Sequence, residues 1–209
     1  MKPTIERRGT PAVETPYRME TNENGTPLVR GYAAVFDSES HDLGGFREII
    51  EPNAFDRVLE SGPDVVALFN HDADNLLART TSGTLELGVD ERGLTYSFTP
   101  PETTLGRDLK ILLERGDVSG SSFAFVIADG GQRFVEDDAG TITRYISEIS
   151  QLVDVSLVTT PAYPETSVAL RALGQWRDST GPVDISPIFT WHLTVARSIA
   201  ARERIRHGT

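Results

Sequence analysis

Three widely spaced residues, His71, Ser122 and Asp154, hold between them the parts of an acyl-transfer centre. A serine hydroxyl is a poor nucleophile until a base takes its proton. Histidine does this near neutral pH, and a carboxylate on the other ring nitrogen fixes the tautomer. Backbone N–H groups can then hold the oxyanion. The chain has no cysteine and only four histidines, His41, His71, His192 and His207, so covalent chemistry has to run on oxygen and a histidine base has few candidates.

Local setting favours His71 among the four. It ends the apolar run Val65-Val66-Ala67-Leu68-Phe69, where a buried strand can hold a base in place, whereas His41 lies in a Gly-rich loop and the others near the C-terminus. Ser122 lies in the strand-like run Ser121-Ser122-Phe123-Ala124-Phe125. By the two-residue period, Ser122, Ala124 and Val126 share one face, while Ser121, Phe123 and Phe125 share the other. The aromatics anchor the core face and leave room above Ser122 for a substrate carbonyl. Asp154 sits between Val153 and Val155, and alternation places it with Leu152 and Ser156. A carboxylate buried there needs a donor, and a histidine ring N–H is one. Each residue also has an ordinary reading: a strand-end histidine, a small polar filler, an edge-strand acid facing solvent.

Composition narrows the alternatives. A net charge of -11 argues against a broad nucleic-acid-binding surface. Residues 188–209 are the exception, with Arg197, Arg202, Arg204 and Arg206 against Glu203; that tail carries +3 and the other 187 residues carry -14. No apolar run approaches the roughly 18 residues of a membrane span, and Met1 to Thr10 is polar without a signal core, so a cytoplasmic protein without a membrane partner is expected. His71-Asp72-Ala73-Asp74 lacks the second histidine or spaced carboxylates that a metal site needs, and no cofactor is expected.

The elements that must position these residues are mostly strands. Thr15 to Glu20 and Leu28 to Phe36 flank Asn24-Gly25, a pair suited to a tight hairpin. Pro52 to Leu59 predicts a short helix closed by Gly62-Pro63. Leu85 to Val89 and Leu94 to Phe98 predict a second hairpin across Asp90 to Gly93. Leu105, Leu109, Leu112 and Leu113 form one face of a helix over Thr104 to Arg115 that stops at Gly116. Further strands are expected at 121–127, 143–149 and 151–158. The resulting organisation is an N-terminal strand and hairpin over 1–27, a catalytic domain over 28–173, a Gly-, Pro- and Ser-rich linker over 174–187, and a basic amphipathic helix over 188–209.

Several segments together resemble the HK97-type prohead (capsid maturation) protease family of tailed phages. They are Gly31 to Phe36, Phe46-Arg47-Glu48 with Pro52-Asn53-Ala54-Phe55, Asn70-His71-Asp72, Gly93-Leu94, Ser121 to Phe125, and Asp154 to Ala162, in the family's order. The resemblance implies a mostly β (α+β) fold similar to the herpesvirus assemblins, a β-barrel surrounded by a few helices. It also implies a serine endopeptidase with His71 as base and Ser122 as nucleophile. Its substrates would be scaffold or capsid precursor segments, and the chain itself, with possible self-association, inside the immature capsid in the host cytoplasm. Ala124 stands where the family's serine motif usually has Gly, and Asp154 where many relatives carry Glu. The shorter acid reaches the histidine only if the strands approach closely, and Glu148 on the preceding strand is the alternative. The two departures also motivate a second reading, a catalytically inactive capsid assembly factor with the same fold.

Overall fold

Apolar runs bounded by turn residues become strands, and the one long 3.6-periodic segment becomes a helix. The computed structural model describes residues 4–10, 17–21, 25–160 and 166–180. The strands are β1 (Glu6–Thr10), β2 (Tyr17–Thr21), β3 (Pro27–Val35), β4 (Arg47–Ile50), β5 (Val66–Phe69), β6 (Asp72–Arg79), β7 (Leu85–Val89), β8 (Gly93–Phe98), β9 (Gly120–Ile127), β10 (Gln132–Glu136), β11 (Ile142–Ile146) and β12 (Ile149–Val158). The helices are α1 (Asp56–Glu60), α2 (Thr104–Arg115) and α3 (Thr166–Thr180). The protein is mostly β with a few helices, as its sequence implies.

Backbone pairing among the described residues gives three sheets, ordered β1-β9-β12-β5-β6, β2-β3-β8-β7 and β10-β11-β4, rather than the one closed barrel that was expected. Each sheet keeps two edges. Register shifts in the β3–β8, β5–β6 and β9–β12 pairs interrupt the ladders and bend the strands locally. The core is shared by residues of different sheets: Phe123 and Phe125 stack at 4.8 Å, Phe55 meets Phe123 edge-on at 5.7 Å, and Leu94, Tyr96 and Leu109 belong to the same cluster. Burying each ring contributes about 2–3 kcal/mol.

The expected helix ends hold at α2, where the Thr103 hydroxyl accepts from Gly106 N and Gly116 takes the left-handed conformation. The N-terminal hairpin forms between β2 and β3; Thr15 and Asn24 lie outside the described residues. The chain divides into two units, 1–170 and 171–209, and every strand named here belongs to the first. The linker expected from Gly174 begins instead as helix, because α3 runs to Thr180. One interior glycine costs a helix only about 1 kcal/mol, which the good helix formers around Gly174 offset. The remainder of that linker and the expected helix over 188–209 lie outside the described residues.

At Gly93, in the Gly93-Leu94 segment, the backbone leaves no room for a side chain. A Cβ built there would stand 2.0 Å from the Ala34 carbonyl oxygen, a backbone atom that cannot step aside. Gly93→Ala is therefore expected to destabilise the fold by about 3 kcal/mol, read as a lower urea midpoint at unchanged slope. An unchanged midpoint would show that β3 and β8 can part to accept a methyl.

Candidate functional site

His71 owes its position to a two-residue hairpin. Phe69 pairs with Asp72, and the intervening Asn70 and His71 both take φ of 56°, as a type I′ turn requires. Left-handed backbone costs a non-glycine residue about 1–3 kcal/mol, so other contacts have to hold it. Asn70 supplies them: its N–H donates to Leu157 O at 2.9 Å and its Oδ1 accepts from Thr159 N at 3.0 Å. The turn is thereby tied to the end of β12, and the Asn-His-Asp motif gains a physical reason.

The five-stranded sheet sets β12 between β9, which carries Ser122, and β5, which leads to His71. The strand of Asp154 thus lies between the strand of Ser122 and the strand leading to His71. A bulge aims Asp154. Leu152 pairs with Phe125, yet Asp154 pairs with Ala124, so Val153 is an extra residue on β12. Asp154 and Ser156 then share the face of Ala124 and Ser122, while Leu152 goes with Phe125 to the core. Alternation alone had placed Leu152 with Asp154, and that expectation fails at the bulge.

The three side chains meet. His71 Nδ1 lies 2.6 Å from Asp154 Oδ1, and His71 Nε2 lies 2.7 Å from Ser122 Oγ. With the Nδ1 proton directed at Asp154, Nε2 is left to accept the serine proton. The shortened acid reaches because its strand is the immediate neighbour of both partners. Glu148, the alternative, turns to Arg57 at 2.8 Å at the surface. Ser121 bonds Tyr96 Oη at 2.7 Å on the core face, so alternation correctly separates the two adjacent serines.

Sequence reading passed over Ser156. Its hydroxyl donates to Asp154 Oδ1 at 2.7 Å and lies 3.1 Å from His71 Nδ1. Its place two residues beyond the acid, on the same face, was the available signal. If the three side chains act together, Ser156 positions the acid and the ring, and Ser156→Ala is expected to lower kcat about tenfold with KM unchanged, from the loss of one hydrogen bond to the carboxyl group. Ser156→Thr, which keeps the hydroxyl, should restore most of the rate. A loss confined to KM would contradict this role.

The Gly83 and Thr159 amides are already engaged. Gly83 N donates to Thr80 O at 2.9 Å, and Thr159 N serves Asn70. A recess of about 530 Å³ lies on the four-stranded sheet, lined by residues such as Tyr32, Asp90, Arg92 and Tyr96, and includes none of His71, Ser122 and Asp154.

On the opposite face of the sheet, the face of Phe123 and Phe125, lies a buried ionic cluster of Glu6, Arg8, Glu48 and Arg144, two charges of each sign. Burial pushes the Glu6 carboxyl up, but the Arg144 hydrogen bond and charge, with those of Arg8, outweigh it and hold it below its ordinary value. A depressed carboxyl stabilises above its ordinary range and loses that contribution as pH falls through its folded value.

Among solved structures, the bacteriophage T4 capsid assembly protease, gp21, is similar in fold, with a TM-score of 0.51 over 77% of this chain and 100% of that chain at 9% identity. No curated protein matches the sequence. The family model described as caudovirus prohead serine protease matches residues 14–177, a span that contains His71, Ser122 and Asp154. With more than half of its length matched, the chain belongs to the caudovirus prohead serine protease family.

Proposed function

We propose that the protein is a serine endopeptidase in which Ser122 is the nucleophile, His71 the general base and Asp154 the orienting acid. It acts on capsid or scaffold precursor segments within the immature capsid. The observation that supports this reading is the continuous chain of contacts from Asp154 through His71 to Ser122, both links within hydrogen-bond reach. An assembly factor that had lost its chemistry would not need to keep a strained histidine on a serine.

In this reading the Ser122 oxygen attacks the scissile carbonyl carbon as His71 Nε2 takes the hydroxyl proton. The Asp154 carboxylate stabilises the imidazolium without taking its proton. His71 then gives that proton to the leaving amine nitrogen, the C–N bond breaks, and an acyl-serine remains. Water attacks it with His71 again as base, releasing the acid product and restoring the hydroxyl.

The chain's own C-terminal segment, 188–209, is a second substrate in this proposal. The test is mass spectrometry of capsid and scaffold precursors, and of the chain alone, after incubation. Discrete products from the native chain and none from Ser122→Ala are expected. Processing that survives Ser122→Ala overturns the assignment.

A further inference from the structure

The four-stranded sheet has a face that the proposed chemistry does not use. Along β3, Val29 and Gly31 are buried, whereas Arg30 is exposed and Tyr32 only half-buried, the alternation of a strand with one face turned outward. Strand register carries that face across the sheet. Arg18, Arg30, Ser97 and Glu86 form one row, and Tyr32, Thr95 and Gly88 form the next. Both rows line the recess of about 530 Å³. Gly88 helps to keep it hollow, since a Cβ there would crowd Thr95 Oγ1 at 3.2 Å.

The charge on this face is unbalanced. Arg18 and Arg30 stand directly opposite each other on neighbouring strands, where like charges repel. Arg18 Nε pairs with Glu20 Oε1 at 2.5 Å. Arg30 has neither a hydrogen bond nor an ion pair among the described residues. The acids of the recess are committed elsewhere. Asp90 accepts from the Tyr32 hydroxyl at 2.7 Å and from the N–H groups of Arg92 and Gly93, while Glu86 lies beyond Ser97, from which it accepts at 3.1 Å. A carboxylate laid between Arg18 and Arg30 would relieve their repulsion and accept from planar guanidinium forks that match its two oxygens.

Size and surroundings favour a peptide over a lone anion or a nucleic acid. One carboxylate or phosphate would leave most of the 530 Å³ empty. A polyphosphate backbone would have to pass Glu86 and Asp90, on a body that carries -14 outside residues 188–209. An extended peptide can set one carboxylate on the arginines and rest its other groups against Tyr32 and Thr95. We propose that the recess is a docking site for an acidic, extended peptide segment, its carboxylate held between Arg18 and Arg30, and that the segment belongs to the precursor that the enzyme cleaves. Because the recess includes none of His71, Ser122 and Asp154, it would hold the substrate away from the bond that is cut. The origin of the segment rests on the endopeptidase reading; the binding itself does not.

The test uses the full-length Ser122→Ala protein and a fluorescent hexapeptide of alternating glutamate and alanine, with binding read as anisotropy. The glutamate peptide should bind about tenfold or more tighter than its glutamine counterpart, less so as salt rises, and Arg30→Ala in the same background should remove the difference. Arg30→Glu should reverse the order in favour of a lysine peptide. Arg30 is exposed and faces Arg18, so its removal should leave the urea midpoint unchanged or raised, and lost binding then reports the site rather than the fold. Equal binding of the glutamate and glutamine peptides, or a glutamate peptide indifferent to Arg30→Ala, overturns the site. Displacement by inorganic phosphate at equal concentration, or tighter binding of hexathymidylate, overturns a peptide as the ligand.

In the otherwise native chain, Arg30→Ala should raise KM for the precursor about tenfold with kcat unchanged. An unchanged KM overturns the precursor as the source of the segment. A native chain that cleaves no precursor overturns the endopeptidase reading instead, and the peptide comparison still decides the recess.

Discussion

Ser122→Ala and His71→Ala are each expected to lower precursor hydrolysis about 10⁶-fold, and the double variant no further. In the proposed mechanism the two side chains perform one act, transfer of the serine proton as the Oγ–carbon bond forms, and removing either member removes the act. Their 2.7 Å contact makes them a unit. Residual activity over water should come from substrate positioning and backbone donors alone. Cleavage of a peptide derived from a mapped precursor site, followed by mass spectrometry, measures this. Losses that multiply in the double variant would mean that the residues act independently, against the proposed pairing.

Asp154→Asn is expected to cost about 10⁴-fold in kcat with little change in fold. The amide nitrogen of asparagine would face Nδ1 as a donor and favour the tautomer with its proton on Nε2. That ring cannot take the serine proton. Asp154 is buried, and it accepts from Ser156 as well as facing His71, so the amide keeps partners and the defect should be catalytic. Glu148→Gln is the control. Its carboxylate pairs with Arg57 on an exposed surface, and such pairs contribute about 0–1 kcal/mol, so the rate should stay within about twofold. If Glu148→Gln removed activity and Asp154→Asn did not, the acid would have to be reassigned.

By itself the sequence determined what is local. The apolar run before His71, the leucine face and C-terminal glycine stop of α2, and the alternation that sets Ser122 apart from Ser121 all survive in the structure. Each depends on neighbours a few residues away, through strand or helix periodicity and end-capping. Even Gly93 was visible as part of a recurrent dipeptide, although only the Ala34 carbonyl explains it. The choice of acid was different. Asp154 reaches His71 because β12 lies between β9 and β5 and because Val153 bulges out; a regular ladder would have set Asp154 opposite Phe123, on the core face. Likewise Glu6, Arg8, Glu48 and Arg144, separated by up to 138 residues, become one cluster only when β1 pairs with β9 beside β4 and β11. Strand order, bulges and edge pairing are set by contacts distant in sequence, whose free energy no local period encodes, and for that reason tertiary structure alone brought Asp154 to His71 and β1 against β9.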